Sequence, residues 1–448
     1  MVSADQKTND ESRCVRWPSQ PEEWPCSEGA VVGPECNQDN FSQASVQSYA
    51  RSKTWTWTGR HVFFVSDIHA DTDAFFVSLA GGGGIKKTGP EDADFELTDL
   101  GRSSRFIIGG DCFDKGPSNL RLLEAIHQLY LKGADIVLLA GNHDVRTYLG
   151  IYHAQSKDPL LDHLFVRMGK KTVPLLKEIF DKFIGDDHVP STLDAVKIRA
   201  KLYPDESWYD NFPTVASGWV RPEKLKKELL RVREKVADFD ARVQEFDMGM
   251  EEIFAATEKF RELFFSPSGR YFWFFDKMKL AHREGSYIYL HAGLDDETSR
   301  IIRKRGVEAL NQQFKDGLMS APFDLYHGII GNTFRTKYRT QDYDFTSAGV
   351  EHLHCAGIYA IVHGHRNLRR GQRVLIRAGM LNFECDASVD SHTRAKEGLD
   401  GPGGAIMIFS SEGTVCGLST DYPYIKTFHP GTVTIDKQAA SPCADTSG

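Results

Sequence analysis

The stretch Phe106-Ile107-Ile108-Gly109-Gly110-Asp111-Cys112-Phe113-Asp114-Lys115-Gly116-Pro117 reads as a buried strand that ends in an acidic loop. Three apolar residues run into a double glycine, then two acids three apart, then a Gly-Pro stop. The glycines allow a tight turn with the backbone close to a ligand. Downstream, Ser118–Leu131 carries Leu120, Leu123, Ile126, Leu129 and Tyr130 at helical spacing, and Ile136–Ala140 is strand-like again. Upstream, His61–Ser66 is another buried-strand run, preceded by Trp55 and Trp57 alternating with threonines. Strand, helix and strand in this rhythm predict an α/β core. Further strands are expected at Tyr287–Leu290, Ile358–Val362, Val374–Ile376 and Ala405–Phe409, with a hairpin turn at Ser411-Glu412-Gly413 before Thr414–Leu418.

Four more blocks stand at predicted strand ends. Val65-Ser66-Asp67-Ile68-His69 places a carboxylate and an imidazole at a sheet edge, a pair that suits Mn, Fe or Zn. Leu138-Leu139-Ala140-Gly141-Asn142-His143-Asp144 offers an amide oxygen as a neutral metal ligand, with the adjacent histidine free to act as an acid. Tyr289-Leu290-His291-Ala292-Gly293-Leu294 and Ile361-Val362-His363-Gly364-His365 each set a histidine beside glycine after a strand. A single histidine in such a place is more often structural than a ligand; the ordered set of five blocks carries the weight. Gly81–Gly84 has no lysine and serine in P-loop positions and reads as a flexible loop, not a phosphate cradle.

The ordered set Asp-x-His, Gly-Asp-x-x-Asp, Gly-Asn-His-Asp, His-x-Gly and Gly-His resembles the calcineurin-like metallophosphoesterase family over about residues 60–148, 286–296 and 355–387. The resemblance implies an α/β (α+β) fold, a two-sheet β-sandwich flanked by helices, with metals at the loop edge. It implies two divalent ions (Mn, Fe or Zn), with Asp67 and His69 holding the first, Asp111 bridging both, and Asn142, His291 and His365 completing the second. It makes His143 the general acid and Asp114 the carboxylate that orients it. The implied reaction is hydrolysis of a phosphate ester by a metal-bridging hydroxide, the two ions lying about 3.5–4 Å apart. The sequence departs from the family in three ways. Asn367 stands where many members have a second histidine after Gly-His, which looks more like the phosphoprotein-phosphatase branch. Lys115 stands where that branch usually has arginine; it can hold phosphate as a point charge but not as a bidentate fork. The link between the third and fourth blocks is also unusually long.

Lys115, Arg146 and Arg335 are candidates to bind the substrate phosphate, an ordinary surface role being the alternative for the two arginines. His363 shares a strand face with His365 and is expected near the site without ligating. Asp386 is a candidate carboxylate supporting the site from behind. The phosphorylated substrate is read first as a phosphoprotein or small phosphomonoester. The alternative is a dinucleoside polyphosphate, because Gly116-Pro117-Ser118-Asn119-Leu120 and the histidine blocks also resemble the symmetrical dinucleoside tetraphosphatases. A non-catalytic metal-binding protein of the same fold is the reading from a different class, and metal analysis discriminates it.

Around these blocks, residues 1–52 form a polar N-terminal arm, which Trp17 and Trp24 are candidates to pin down. Residues 53–430 form the phosphoesterase domain, interrupted by a mainly helical insertion at 145–285, a cap or interaction subdomain; residues 431–448 are a polar tail. The insertion carries an apolar stripe, Leu225, Leu229, Val232, Val236, Phe239, Val243, Phe246, Met250, Ile253, Phe260 and Phe264, in steps of three and four. One continuous helix would reach roughly 60 Å at 1.5 Å per residue, and Gly249 is a candidate break. The stripe packs within its own domain or forms a homo-oligomer seam over 225–264. A net charge of −8 argues against duplex nucleic acid and anionic membranes. No apolar run is long enough to span a bilayer, and the start has no secretory stretch, so a cytoplasmic location is expected. The eight cysteines lack CxxC pairs and read as reduced thiols, with a disulfide among Cys14, Cys26 and Cys36 left open.

Overall fold

The computed structural model describes residues 15–24, 39–40, 42–185, 193–220 and 222–436. Two sheets form the centre. The first runs, edge to edge, Pro21–Glu23, Ile425–Phe428, Val415–Ser419, Ala405–Phe409, Val62–Val65, Arg105–Ile108 and Asp135–Leu138. The second runs Asp39–Asn40, Arg373–Arg377, Met380–Glu384, Ala360–His363, Tyr287–Leu290 and Ala281–Glu284. The central strands are buried on both faces, which explains their unbroken apolar runs. Along Val62–Val65, Val62 and Phe64 point between the sheets while Phe63 and Val65 point to the helices. Tyr287 and Tyr289 do the same against Ile288 and Leu290. Between the sheets Phe64 meets Tyr289 with ring centroids 5.8 Å apart, and Trp57 stacks on Phe409 at 5.9 Å.

The register sets the site. Val65 pairs with Ile108 and Ile108 with Leu138, all three strands being parallel. In the other sheet Tyr289 pairs with Val362, and His363 with Glu384, again parallel. Parallel strands end together, so the loops that follow leave from one edge of each sheet.

The described segments nearest the two termini join this frame. Trp24 is buried against Phe383, and the Trp17 ring lies where a side chain on Gly81 would be, 2.1 Å from its Cβ position. Thr432–Ile435, expected to be polar tail, instead pairs in parallel with Thr54–Trp57. The glycine run at 81–84 is not an open loop: side chains on Gly82 and Gly84 would strike Ile406, Phe63 and Phe106. Cys14, Cys26 and Cys36 lie outside the described residues; the described cysteines, Cys112, Cys355, Cys385 and Cys416, are free thiols. Among the described residues no helix is long and apolar enough to cross a membrane.

The helical insertion is built of short helices and two longer ones, Pro222–Glu245 and Met250–Phe265, with Gly249 at the N-cap of the second. The stripe is therefore two helices, not one rod. Val232, Phe239, Ile253 and Phe260 are fully buried in the chain's own core, Phe239 beside Phe165 at 5.5 Å and Tyr203 at 6.1 Å. The buried residues of the stripe pack against the chain's own helices, while Leu229, Val236, Phe246 and Met250 are only half-buried. Phe239→Ala is expected to cost about 3–5 kcal/mol in denaturant unfolding without changing the molecular mass in light scattering. A changed mass with unchanged stability would contradict this internal packing.

Candidate functional site

The loops after Val65, Ile108, Leu138, Leu290 and His363 converge at the common edge. Asp67, His69, Asp111, Asp114, Lys115 and His365 all have positive φ, between 48° and 71°. Non-glycine residues seldom adopt this region, and such strain persists only where the surroundings over-determine it. Two motif glycines permit the approach. A Cβ on Gly141 would lie 2.3 Å from Asp111 Oδ1, and one on Gly364 would lie 2.0 Å from Asp67 Oδ2.

Asp111 is central. Its Oδ2 is 3.7 Å from His69 Nε2 and its Oδ1 is 3.5 Å from His291 Nε2. Two groups able to hold a metal share it: His69, Asp111 and His143, and Asp111, His291 and His365. Asp67 Oδ1 is 4.0 Å from His69 Nε2, and Asn142 Oδ1 is 3.3 Å from His291 Nε2. The donors are oxygens and imidazole nitrogens, a set that suits first-row divalent ions. Lys115 Nζ stands 2.7 Å from His69 Nε2. His69 Nδ1 faces the Phe113 carbonyl at 3.2 Å and His291 Nδ1 the Gly109 carbonyl at 2.8 Å, which turns each Nε2 toward Asp111.

Electrostatics match this geometry. Burial would lower the His291 pKa, but the carboxylates of Asp111 and Asp67 carry it up to about 10. Burial would raise the Asp111 pKa, yet His291, His143 and His69 hold it well below the usual carboxylate range. Burial and the nearby lysine Lys115 push His69 well down.

His143 pairs with Asp114 at 2.7 Å between Nδ1 and Oδ2, leaving Nε2 facing Asp111 Oδ2 at 3.9 Å. Arg146, a candidate phosphate ligand, donates from Nη2 to the same Asp114 oxygen at 2.9 Å. Burial would raise the Asp114 pKa, but His143 and Arg146 hold it far below the usual range. The Arg335 guanidinium lies over the Tyr326 ring at 4.9 Å, and it is its backbone carbonyl that meets His365 Nε2, at 3.1 Å. His363 is fully buried with Nε2 3.8 Å from Glu384, in neither metal-competent group. Asp386 is buried close enough to Asp67 and Lys115 to feel both charges, and burial raises its pKa well above the ordinary value. Asn367 Nδ2 reaches Ser388 Oγ at 3.4 Å.

Three functional features escaped the sequence. Lys171 and Lys235, both from the insertion, reach the site's electrostatic range. Partial burial and then the Lys115 charge lower the Lys171 pKa; burial and then Arg146 lower Lys235 to about 7. Nothing distinguishes these lysines from their neighbours in a lysine-rich stretch. Asp144 is the third. Its carboxylate accepts the backbone N–H groups of Asp111, Cys112, Phe113 and Gly141 at 2.8–3.2 Å. As the third residue of the helix Asn142–Tyr152 it accepts the N–H of the N-cap residue Gly141, and it clamps the Asp111 loop at once. Asp144→Ala is expected to weaken divalent-metal affinity about 10–100-fold in calorimetric titration, as loss of a supporting partner does. Wild-type affinity in a folded variant would show that the clamp does not shape the site.

A family model described as calcineurin-like phosphoesterase matches residues 60–239. No curated protein sequence matches the chain significantly. Among solved structures, the chain is similar to a cold-active protein tyrosine phosphatase, with 15% identity and a TM-score of 0.44 over 86% of this chain and 84% of that one. The cold-active protein-tyrosine phosphatase of a psychrophilic Shewanella species aligns at 15% identity and a TM-score of 0.41, over 85% and 84%. A protein serine/threonine phosphatase from Saccharomyces cerevisiae aligns at 11% identity and a TM-score of 0.34, over 88% and 89%. Residues 60–239, which carry three of the five ligand blocks at the common edge of the two sheets, are thus similar to the calcineurin-like phosphoesterases, and the metal-competent groups there fit a metal-dependent phosphoester hydrolase.

Proposed function

We propose that the chain is a phosphomonoesterase of the phosphoprotein-phosphatase type, with His143 as general acid and Asp114 as its orienting carboxylate. The observation that carries this reading is the 2.7 Å Asp114–His143 pair set against Asp111, the carboxylate shared by two metal-competent groups. Asp67, His69 and Asp111 would hold one ion; Asp111, Asn142, His291 and His365 would hold the other. When bound, the two ions supply Lewis-acid neutralisation of the phosphoryl oxygens and an activated water. The protein's own groups do the rest. Asp114 fixes the His143 ring through Nδ1, so the proton for the leaving oxygen departs from Nε2. Arg146 keeps Asp114 anionic and held in place. Lys115 offers the phosphate a point charge, with Lys171 as a further cation on the insertion side.

That concentration of cations favours a second reading, hydrolysis of a dinucleoside polyphosphate, whose several phosphates need more positive charge than a monoester does. The two readings separate by competition. A phosphopeptide and an aryl phosphate should be turned over faster than a dinucleoside tetraphosphate; fast release of nucleoside diphosphates alone would overturn the monoesterase reading. The substrate is expected to meet the enzyme in the cytoplasm.

His143→Asn should retain both metals and lower kcat by about 10²–10⁴ on an alkyl phosphate, whose leaving group needs a proton. Asp111→Asn should lose activity together with at least one metal by elemental analysis. Wild-type turnover of the alkyl phosphate by His143→Asn would remove His143 from the acid role.

A further inference from the structure

Glu178 lies far in sequence from the metal-ligand blocks, on the helix Val173–Phe183 of the insertion. Its carboxylate nevertheless accepts four hydrogen bonds from one short segment of the core. Ser118 Oγ donates at 2.8 Å, and the Asn119 N–H, Asn119 Nδ2 and Leu120 N–H each donate at 2.9 Å. These groups open the helix Asn119–Leu131, which has no acidic residue in its own first turn. A carboxylate from the insertion thus meets the unpaired N–H groups and the positive end of that helix.

The contact has a consequence beyond capping. Asn119 is buried, and with Nδ2 committed to Glu178 its Oδ1 is turned to the Asp114 N–H at 2.9 Å. Asp114 needs such a hold. Its φ is 71°, as is that of Lys115, and a side chain there is strained. Its Oδ1 is buried without a hydrogen-bond partner, so its aim depends on where the backbone sits and on the bonds at Oδ2. The links from Glu178 to Asn119, to Asp114 and to His143 measure 2.9, 2.9 and 2.7 Å.

We infer that Glu178 is a positioning residue for proton donation: through Asn119 it sets the backbone of Asp114, and so the aim of His143. This rests on the reading of His143 and Asp114 as acid and orienter. It makes the helical insertion part of the catalytic apparatus rather than an attachment to it.

The test is the ratio of kcat on an alkyl phosphate to kcat on 4-nitrophenyl phosphate, since only the first leaving group needs a proton. Glu178→Ala should lower this ratio about tenfold, the lower end of what removing a supporting partner costs. Asn119→Ala should do the same, and the double variant should add nothing, because the two act in one chain. Glu178→Gln should recover part of the ratio, its single amide oxygen still serving Asn119. Ser118→Ala removes the cap on the Arg121 N–H and one bond to Glu178 Oε2 but leaves the Glu178–Asn119 link through Oε1; it should lower the unfolding midpoint and leave the ratio alone. Should Glu178→Ala fail to fold, Asn119→Ala carries the same comparison. A wild-type ratio in Asn119→Ala and in Glu178→Ala, with His143→Asn lowering it, would overturn the inference alone. An unchanged ratio in His143→Asn as well would place the fault in the acid assignment.

Discussion

Burying the turn Asp111-Cys112-Phe113 removes its backbone N–H groups from water, and a buried N–H without a partner costs about 1–3 kcal/mol. The Asp144 carboxylate meets all three and the N–H of Gly141 as well. With those donors satisfied, the loop can hold Asp111 at a positive φ, which its own preference resists. Asp111 Oδ1 in turn accepts the N–H of His143 at 2.8 Å, so the helix start and the acidic loop are locked to each other. Everything at the metal edge is measured from that lock. Burial and the adjacent charge of Asp111 push the Asp144 pKa up to about 7, against the pull of the N–H groups that hold it.

The second constraint is that two sheets must end at one place. Parallel register aligns Val65, Ile108 and Leu138 in one sheet, and Leu290, His363 and Glu384 lie at or beside the matching edge of the other. The aromatic layer between the sheets fixes their separation, and the ligands from both sides then meet around one carboxylate. The insertion closes the arrangement from outside. Phe113 of the acidic loop packs on Phe274 and Phe264 of the insertion, with centroids 5.3 and 6.1 Å apart. The loop is therefore backed by apolar rings on one side and by Asp144 on the other.

The fold was legible because its signals are local. An apolar run followed by a short loop with a metal-ligand residue marks a strand end, and five such marks in order, at Asp67, Asp111, Asn142, His291 and His365, define the sheet edge. Where a glycine stands at such a mark, its steric reason shows only in three dimensions, as at Gly141 against Asp111. What stayed illegible is contact between distant segments. Asp144 was visible within Gly-Asn-His-Asp, but its partners lie some thirty residues earlier and are backbone groups with no sequence signature. Glu178 is one acid among many in a charged helical stretch. Arg146 and Arg335 are candidates for phosphate on type alone; their contacts, Nη2 of the first on Asp114 and the guanidinium of the second over Tyr326, have no sequence signature. The heptad-like stripe was correctly apolar, yet period alone does not tell a seam between chains from one within a chain.

The central claim is that Asp111 serves two metal ions at once. Anomalous diffraction from crystals grown with Mn tests it most directly. The account predicts two peaks, one among Asp67, His69 and Asp111 and one among Asp111, Asn142, His291 and His365. A single peak at full Mn saturation, or two peaks of which only one touches Asp111, would contradict it.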